Sequence, residues 1–204
     1  MPGQVNRDSP FGAKIYELAR DPKYKTFLDL GTWNGEGTTK CLYDAIADRD
    51  AMIYSVEANP TMYRHAQAFW AHYPLHYYKL VLLHGTLTKG ILTKEEIMAD
   101  PMFQFIRPHY DLHYVQDCID TITAPVVTLP AQIDFAVLDG GEFNGKNDFE
   151  AVMKLKPKVI CLDDINVMKN YHAYNHLKGR SDWVEIVRGS DRNGWAIFLS
   201  DPHI

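Results

Sequence analysis

The chain has 204 residues, 46% of them hydrophobic and 23% charged, with a formal net charge of -5. These are the proportions of an ordinary soluble globular protein, long enough to bury about 70% of its unfolded surface around one central sheet. The negative balance argues against a general nucleic-acid surface, no stretch approaches the roughly 20 apolar residues that cross a bilayer, and Cys41, Cys118 and Cys161 are too few and too scattered for a disulfide framework or a zinc cluster.

With no apolar leader at its start, the chain reads as cytoplasmic and as a single domain over residues 1–204. Residues 1–24 form its N-terminal arm and helix. The first ten are polar with two prolines and are expected to be a loose arm or lid. A short helix over Ile15 to Ala19 follows, stopped at Asp21-Pro22.

The run Phe27-Leu28-Asp29-Leu30 then flows into Gly31-Thr32-Trp33-Asn34-Gly35-Glu36-Gly37-Thr38-Thr39, which reads as strand, glycine loop and helix. Glycines are needed where a loop takes positive φ or lets a ligand touch the backbone, and a helix start offers free N–H groups. The spacing Gly31-x3-Gly35-x-Gly37 differs from the G-x-G-x-x-G of a dinucleotide site, and no P-loop lysine follows. A helix from Thr38 to Ala47 closes this unit. Met52 to Glu57 is a second strand ending in an acid about 20 residues beyond the loop, where a ribose-binding carboxylate falls in a nucleotide-binding βαβ unit. The alternative for Glu57 is a solvated cap beside Asn59-Pro60. A helix from Pro60 to His72 and a strand from Tyr78 to His84 continue the alternation.

Residues 86–130 break the pattern. Helical pieces at Lys94 to Ala99 and around Gln104 sit in mixed text, too long for a simple connection and expected to be a lid or substrate excursion; His109 and His113 lie within it. Ile133 to Asp139 is the next strand, followed by Gly140-Gly141-Glu142, and Val159 to Asp163-Asp164 is another. Trp183 to Val187 and Trp195 to Leu199 read as two last strands around Asp191-Arg192-Asn193-Gly194. Asp139, Asp163 and Asp164 thus leave the ends of two neighbouring strands and converge. Unpaired, they repel; a divalent ion relieves this, and an oxygen-only set favours magnesium, manganese or calcium. The alternative is that Asp163 caps a helix, Asp164 pairs with Lys169, and Asp139 binds only its loop. His172 and His176, four apart in a helix, lack the rest of an H-E-x-x-H zinc site.

Asp29-x-Gly31-x3-Gly35-x-Gly37 resembles the first motif of class I S-adenosylmethionine-dependent methyltransferases. Leu138-Asp139-Gly140-Gly141-Glu142 with Leu162-Asp163-Asp164 resembles their metal-dependent O-methyltransferases of the catechol and macrocin types. The resemblance runs from about Thr26 to Leu199. It implies an α/β fold, a Rossmann-like, doubly wound, mainly parallel seven-stranded sheet with a final antiparallel strand. It implies S-adenosyl-L-methionine held by Asp29, Gly31, Trp33, Asn34, Gly35, Gly37, Thr38 and Glu57, and magnesium held by Asp139, Asp163 and Asp164. The expected reaction is O-methylation of a small hydroxylated acceptor such as a sugar or polyol, with no nucleic-acid or membrane partner and with homo-oligomerisation open. One departure stands out: the catechol type carries a lysine and the macrolide type a histidine base where this chain has Glu142. Glu142 is therefore the first candidate base and Lys146, one turn on, the second. Two other readings follow from the same residues, a cephalosporin-hydroxylase-like enzyme with iron on the acids and a cofactor-binding module without catalysis.

Overall fold

A computed structural model describes residues 5–73, 76–89, 92–106, 112–121 and 124–200. His109 lies outside them. Its strands are β1 (Thr26–Leu30), β2 (Met52–Glu57), β3 (Leu80–His84), β4 (Phe135–Leu138), β5 (Val159–Asp163), β6 (Trp183–Gly189) and β7 (Trp195–Ser200). They form one seven-stranded sheet in the order β3-β2-β1-β4-β5-β7-β6. Every neighbouring pair is parallel except the two that β7 makes, so the antiparallel last strand is as expected.

The inner strands are apolar on both sides because both faces are covered. Phe27, Ile53, Phe135, Val137, Val159 and Cys161 point to one face, where α1 (Pro10–Ala19), α2 (Thr38–Ala45) and α3 (Pro60–Trp70) supply Ile15, Leu42 and Trp70. Leu28, Leu30, Ala136, Leu138, Ile160 and Leu162 point to the other, against Phe149 and Val152 of α7 (Gly145–Lys154) and Ala173 and Leu177 of α8 (Met168–Lys178). At the amino ends of the strands the Asp134 carboxylate ties three segments together. It accepts the backbone N–H groups of Lys25 at 2.8 Å and Thr26 at 3.1 Å and pairs with Lys158 Nζ at 2.8 Å.

Two expectations need correction. From residue 5 onward the N-terminal segment is not a loose arm: Val5 is buried in the core and the first helix begins at Pro10, five residues before the expected Ile15. Ser9 caps it by accepting the N–H of Gly12, and Gly12 lets the Asn6 carbonyl lie where a Cβ would sit 1.9 Å away. Proline at the first helical position is a start signal, not a sign of disorder. In the excursion the helical pieces are α4 (Lys94–Ala99) and α5 (Pro101–Ile106), and a further helix, α6 (Leu112–Thr121), was not foreseen. The excursion is closed at its base, where Thr86 donates its N–H to the Pro125 carbonyl and accepts that of Val127, each at 2.9 Å. Ile97, Phe103 and Val115 pack on Phe143 and Met168, so it leans on the segments that follow β4 and β5.

Candidate active site

In an open α/β sheet, ligands sit beyond the carboxyl ends of the strands where the strand order reverses, here between β1 and β4. The chain is in direct backbone contact at that point: a Cβ on Gly31 would stand 2.0 Å from the Asp139 carbonyl oxygen. Gly31, at φ 99°, therefore brings the glycine loop after β1 against the acid-bearing turn after β4.

A buried polar network supports the loop from beneath. Asp29 is fully buried; Thr38 donates to its Oδ1 at 2.6 Å, Ser55 to its Oδ2 at 3.0 Å, and Thr39 to the same oxygen. Thr32 and Ser55 hydroxyls lie 2.6 Å apart. Burial pushes the Asp29 carboxyl up to about 6 although the three hydroxyls favour its charged form. Asp29 and the Thr38 side chain thus build the cradle, their oxygens already occupied by each other and by Ser55 and Thr39. Ser55 and Thr39 were not foreseen as part of it. The signal for Ser55 was a polar residue in a buried strand at the register of Asp29, since the two pair across β1 and β2; Thr39, on the first turn of α2, carried none.

Glu57 ends β2 on the other side of the loop. Its Oε2 accepts the N–H of Trp33 at 2.7 Å and its Oε1 that of Asn59 at 2.8 Å. Burial pushes this carboxyl up to about 7 against those two N–H groups, which favour the anion. A carboxylate has about four acceptor positions, so Glu57 has room to accept a further hydroxyl. Trp33 itself stands out from the loop at φ 52° with 52% of its surface exposed. The tryptophan beneath the loop is Trp70: a Cβ on Gly35, whose φ is 89°, would lie 2.7 Å from Trp70 Nε1. Asn34 closes the crown by accepting the Glu36 N–H at 3.2 Å, and Gly37 is the N-cap of α2. This open glycine crown and the unsaturated Glu57 oxygens fit an adenosine-bearing ligand such as S-adenosylmethionine.

The three acids after β4 and β5 converge as expected, each offering an oxygen within 4.8 Å of the others. A cation already lies among them. Lys169 Nζ, on the first turn of α8, sits 2.9 Å from Asp139 Oδ1 and 2.7 Å from Asp164 Oδ2. Arg192 Nη2 reaches Asp163 Oδ2 at 3.0 Å and Asp164 Oδ1 at 3.6 Å as ion pairs, without hydrogen-bond alignment to either buried oxygen. Burial opposes the Lys169 charge, but Asp139 and Asp164 outweigh it and hold the ammonium above its ordinary range. Burial, then Asp139 and Asp164, push the Asp163 carboxyl up to about 7, with Arg192 and Lys169 pulling the other way. Magnesium bonds oxygen at about 2.0–2.1 Å; an ion so close to Asp139 Oδ1 and Asp164 Oδ2 would overlap the lysine nitrogen between them. As arranged, Lys169 takes the place between Asp139 and Asp164 that such an ion would need.

Backbone contacts fix this arrangement. A Cβ on Gly145 would fall 1.5 Å from the Lys169 carbonyl oxygen, so α7 and α8 touch main chain to main chain. The buried Asn170 amide donates to the carbonyls of Leu138 at 2.9 Å and Asp163 at 2.6 Å, joining the ends of β4 and β5. The turn carrying Arg192 is held by Ile165 and Asn166, whose N–H groups donate to the carbonyls of Gly194 and Asn193. Neither Arg192 nor Asn170 is marked as a site residue by the sequence, where an arginine in a turn and an asparagine inside a helix are ordinary.

Glu142 is half-buried, three residues after Asp139, and its charge contributes to holding Lys169 protonated. Lys146 is exposed on the first turn of α7 and makes no ion pair among the described residues. Two residues that the sequence did not single out complete the turn: Asn144 donates to Asp148 Oδ1 at 2.8 Å, and burial pushes the Asp148 carboxyl up to about 7. His172 does not meet His176 at a metal; its Nε2 lies 2.7 Å from Asp100 Oδ2, linking α8 to the excursion, while the His176 ring packs on Phe149. His113 is exposed.

No family model and no curated protein matches the chain. Solved structures do. A methyltransferase from Geobacter sulfurreducens superposes with a TM-score of 0.60 at 16% identity, over 95% of this chain and 79% of that one. The O-methyltransferase TomG from Streptomyces achromogenes, involved in tomaymycin synthesis and solved with S-adenosylmethionine, gives 0.61 at 17%, over 95% and 80%. An O-methyltransferase from Bacillus cereus, solved with S-adenosylhomocysteine, gives 0.60 at 16%, over 94% and 81%. What is shared at such identities is the fold, the seven-stranded Rossmann-like sheet of these methyltransferases.

Proposed function

We propose that this chain, built on the methyltransferase fold, is an S-adenosylmethionine-dependent O-methyltransferase acting on a small hydroxylated acceptor, a sugar or another polyol. The observation that carries the reading is the contact of Gly31 with the Asp139 carbonyl, which sets the glycine loop and the acid cluster side by side at the strand-order switch. Gly31, Trp33, Asn34, Gly35 and Gly37 would surround the amino-acid end of the cofactor, with Asp29 and Thr38 acting through the loop they support. Glu57 would accept the ribose hydroxyls.

When bound, the cofactor supplies an activated methyl group: a bond forms from the acceptor oxygen to the methyl carbon as the carbon–sulfur bond breaks, and the acceptor proton leaves to a base. Glu142 takes that proton in this reading, with Lys146 as the alternative. The chain contributes chiefly orientation, an effect that reaches about 7–11 kcal/mol in well-aligned systems. Magnesium on Asp139, Asp163 and Asp164 is the further element that the sequence resemblance implies. The two carboxylate oxygens without aligned hydrogen bonds favour it, Lys169 and Arg192 stand against it, and no step here is routed through it. A reduced, cytoplasmic setting goes with three free cysteines, and among the described residues no helix is long and apolar enough to cross a membrane.

Calorimetric titration of the chelator-treated protein with S-adenosylmethionine tests the reading, followed by a screen of sugars and polyols for methyl transfer. Binding on the order of micromolar is expected, weakened by Glu57→Gln, with turnover lowered by Glu142→Gln and hardly by Lys146→Ala. Absence of cofactor binding at millimolar concentration would remove the assignment. Binding with no transfer to any acceptor would favour a cofactor-binding module, and oxygen consumption with iron would favour the hydroxylase reading.

A further inference from the structure

We infer that Lys169 is the built-in cation of the acid cluster, occupying with its ammonium group the position a divalent metal would take, so that the site works without a metal. The occupancy itself rests on ion-pair geometry; its part in catalysis rests on the methyltransferase reading above.

Three lines of geometry carry it. The ammonium lies between Asp139 and Asp164, which come from two different strands, at 2.9 and 2.7 Å, so it bridges the same gap that a metal shared by those strands would bridge. Its side chain is only 13% exposed, too enclosed to swing aside into solvent without breaking both pairs. Its main chain is fixed as well, since the Gly145 backbone occupies the space against the Lys169 carbonyl. Removing one partner from a buried ion pair leaves an uncompensated charge, whereas surface pairs are nearly neutral in effect. A lysine this enclosed is therefore part of the site's electrostatic construction.

The charge count agrees. Asp139, Asp163 and Asp164 are three carboxylates, and Lys169 and Arg192 are two cations, leaving one net negative charge when all are ionised. A divalent ion added to that set would overcompensate it and would need Lys169 to withdraw. Affinity for such ions is governed by the count and freedom of carboxylate ligands, and here two of the three acids are already committed to the lysine. Two of the ammonium's three donors face Asp139 and Asp164 among the described residues, and the third suits a hydroxyl or alkoxide oxygen, to which a compact, strongly hydrated point charge donates. Lys169 would thus hold the acceptor oxygen as its proton leaves to Glu142.

Manganese binding, followed by electron paramagnetic resonance on chelator-treated full-length protein, decides the matter. The wild-type chain is expected to show no specific site below about millimolar Mn2+, whereas Lys169→Met gains one, binding at least about tenfold more tightly, and loses it again when combined with Asp163→Asn. Lys169→Gln serves as a second neutral variant should Lys169→Met fail to fold, and Lys169→Arg should exclude the metal as the wild type does. One tight Mn2+ in the wild type that Asp163→Asn abolishes would overturn the inference, as would failure of folded neutral variants to gain a site. S-adenosylmethionine titrated into the same samples reports separately: no cofactor binding together with the expected manganese pattern would remove the proposed function and leave the lysine assignment in place.

Discussion

Glu57 accepts the backbone N–H of Trp33 at 2.7 Å, so the carboxylate at the end of β2 and the crown of the glycine loop form one unit. In Glu57→Gln one amide oxygen can still accept an N–H, but the NH2 group faces the other donor. We expect a loss of about 1–3 kcal/mol in stability, together with at least about tenfold weaker binding of S-adenosylmethionine. Calorimetry and thermal melts read the two effects; cofactor affinity equal to wild type would show that Glu57 only closes the loop.

Gly35→Ala places a methyl group 2.7 Å from Trp70 Nε1 at a φ of 89°. Left-handed backbone on a non-glycine residue costs about 1–3 kcal/mol, and in a chain of this size each kcal/mol lowers the melting temperature by about 2–4 °C. Trp70→Phe in the same chain should recover the steric part and leave the backbone part. Strict additivity of the two substitutions in a double-mutant cycle would mean that they do not meet.

Asp148 is buried with its carboxyl pushed up to about 7, from an ordinary value of 3.8. An acid whose folded pKa is raised binds more protons folded than unfolded between those two values, so stability falls as pH rises from about 4 through 7. Glu57 and Asp29, with carboxyls at about 7 and about 6, act in the same direction. Asp148→Asn keeps the size of the side chain and removes its titration; its melting temperature should fall less steeply over that range. Parallel pH profiles for the two proteins would contradict the assignment.

Asn170 holds the ends of β4 and β5 together through the carbonyls of Leu138 and Asp163. Asn170→Ala strands two buried acceptors, at about 1–3 kcal/mol each, and loosens the strand ends that carry Asp139 and Asp163. Urea unfolding should register a loss of this order, with turnover falling more than cofactor affinity. A selective loss of cofactor binding would put Asn170 in a different role.

The sheet and the glycine loop were legible in the chain because both are written in local pattern. Apolar runs such as Ile133 to Leu138 end in acids, and Gly31 and Gly35 sit where positive φ is required. The acid cluster was legible for the same reason, since strand ends of a parallel sheet share one edge. What filled the cluster was less so. Lys169 was a candidate partner for Asp164 by proximity in sequence, but its second bond, to Asp139, depends on the packing of α8 against α7. Arg192 lies in the turn between β6 and β7, brought to the acids by the antiparallel pairing of β7 with β5, a long-range contact. The excursion read worst: the burial of Val115 on α6 against Phe143 and Met168 is a tertiary property with no local pattern behind it. Pro10 misled in the opposite sense, since proline marks both loops and helix starts and only the Ser9 cap tells them apart.

The main-chain contact between Gly145 and Lys169 has a consequence for supply. A metal has a dissociation equilibrium, and its occupancy follows the free-ion concentration around the protein. An ammonium group tethered to α8 has none. It is present in every folded copy, indifferent to chelators and to metal scarcity, and it cannot be exchanged for a wrong ion. In return its reach is set by one side chain of fixed length, so a substrate must fit the lysine where a bound ion would have adjusted its coordination to fit the substrate.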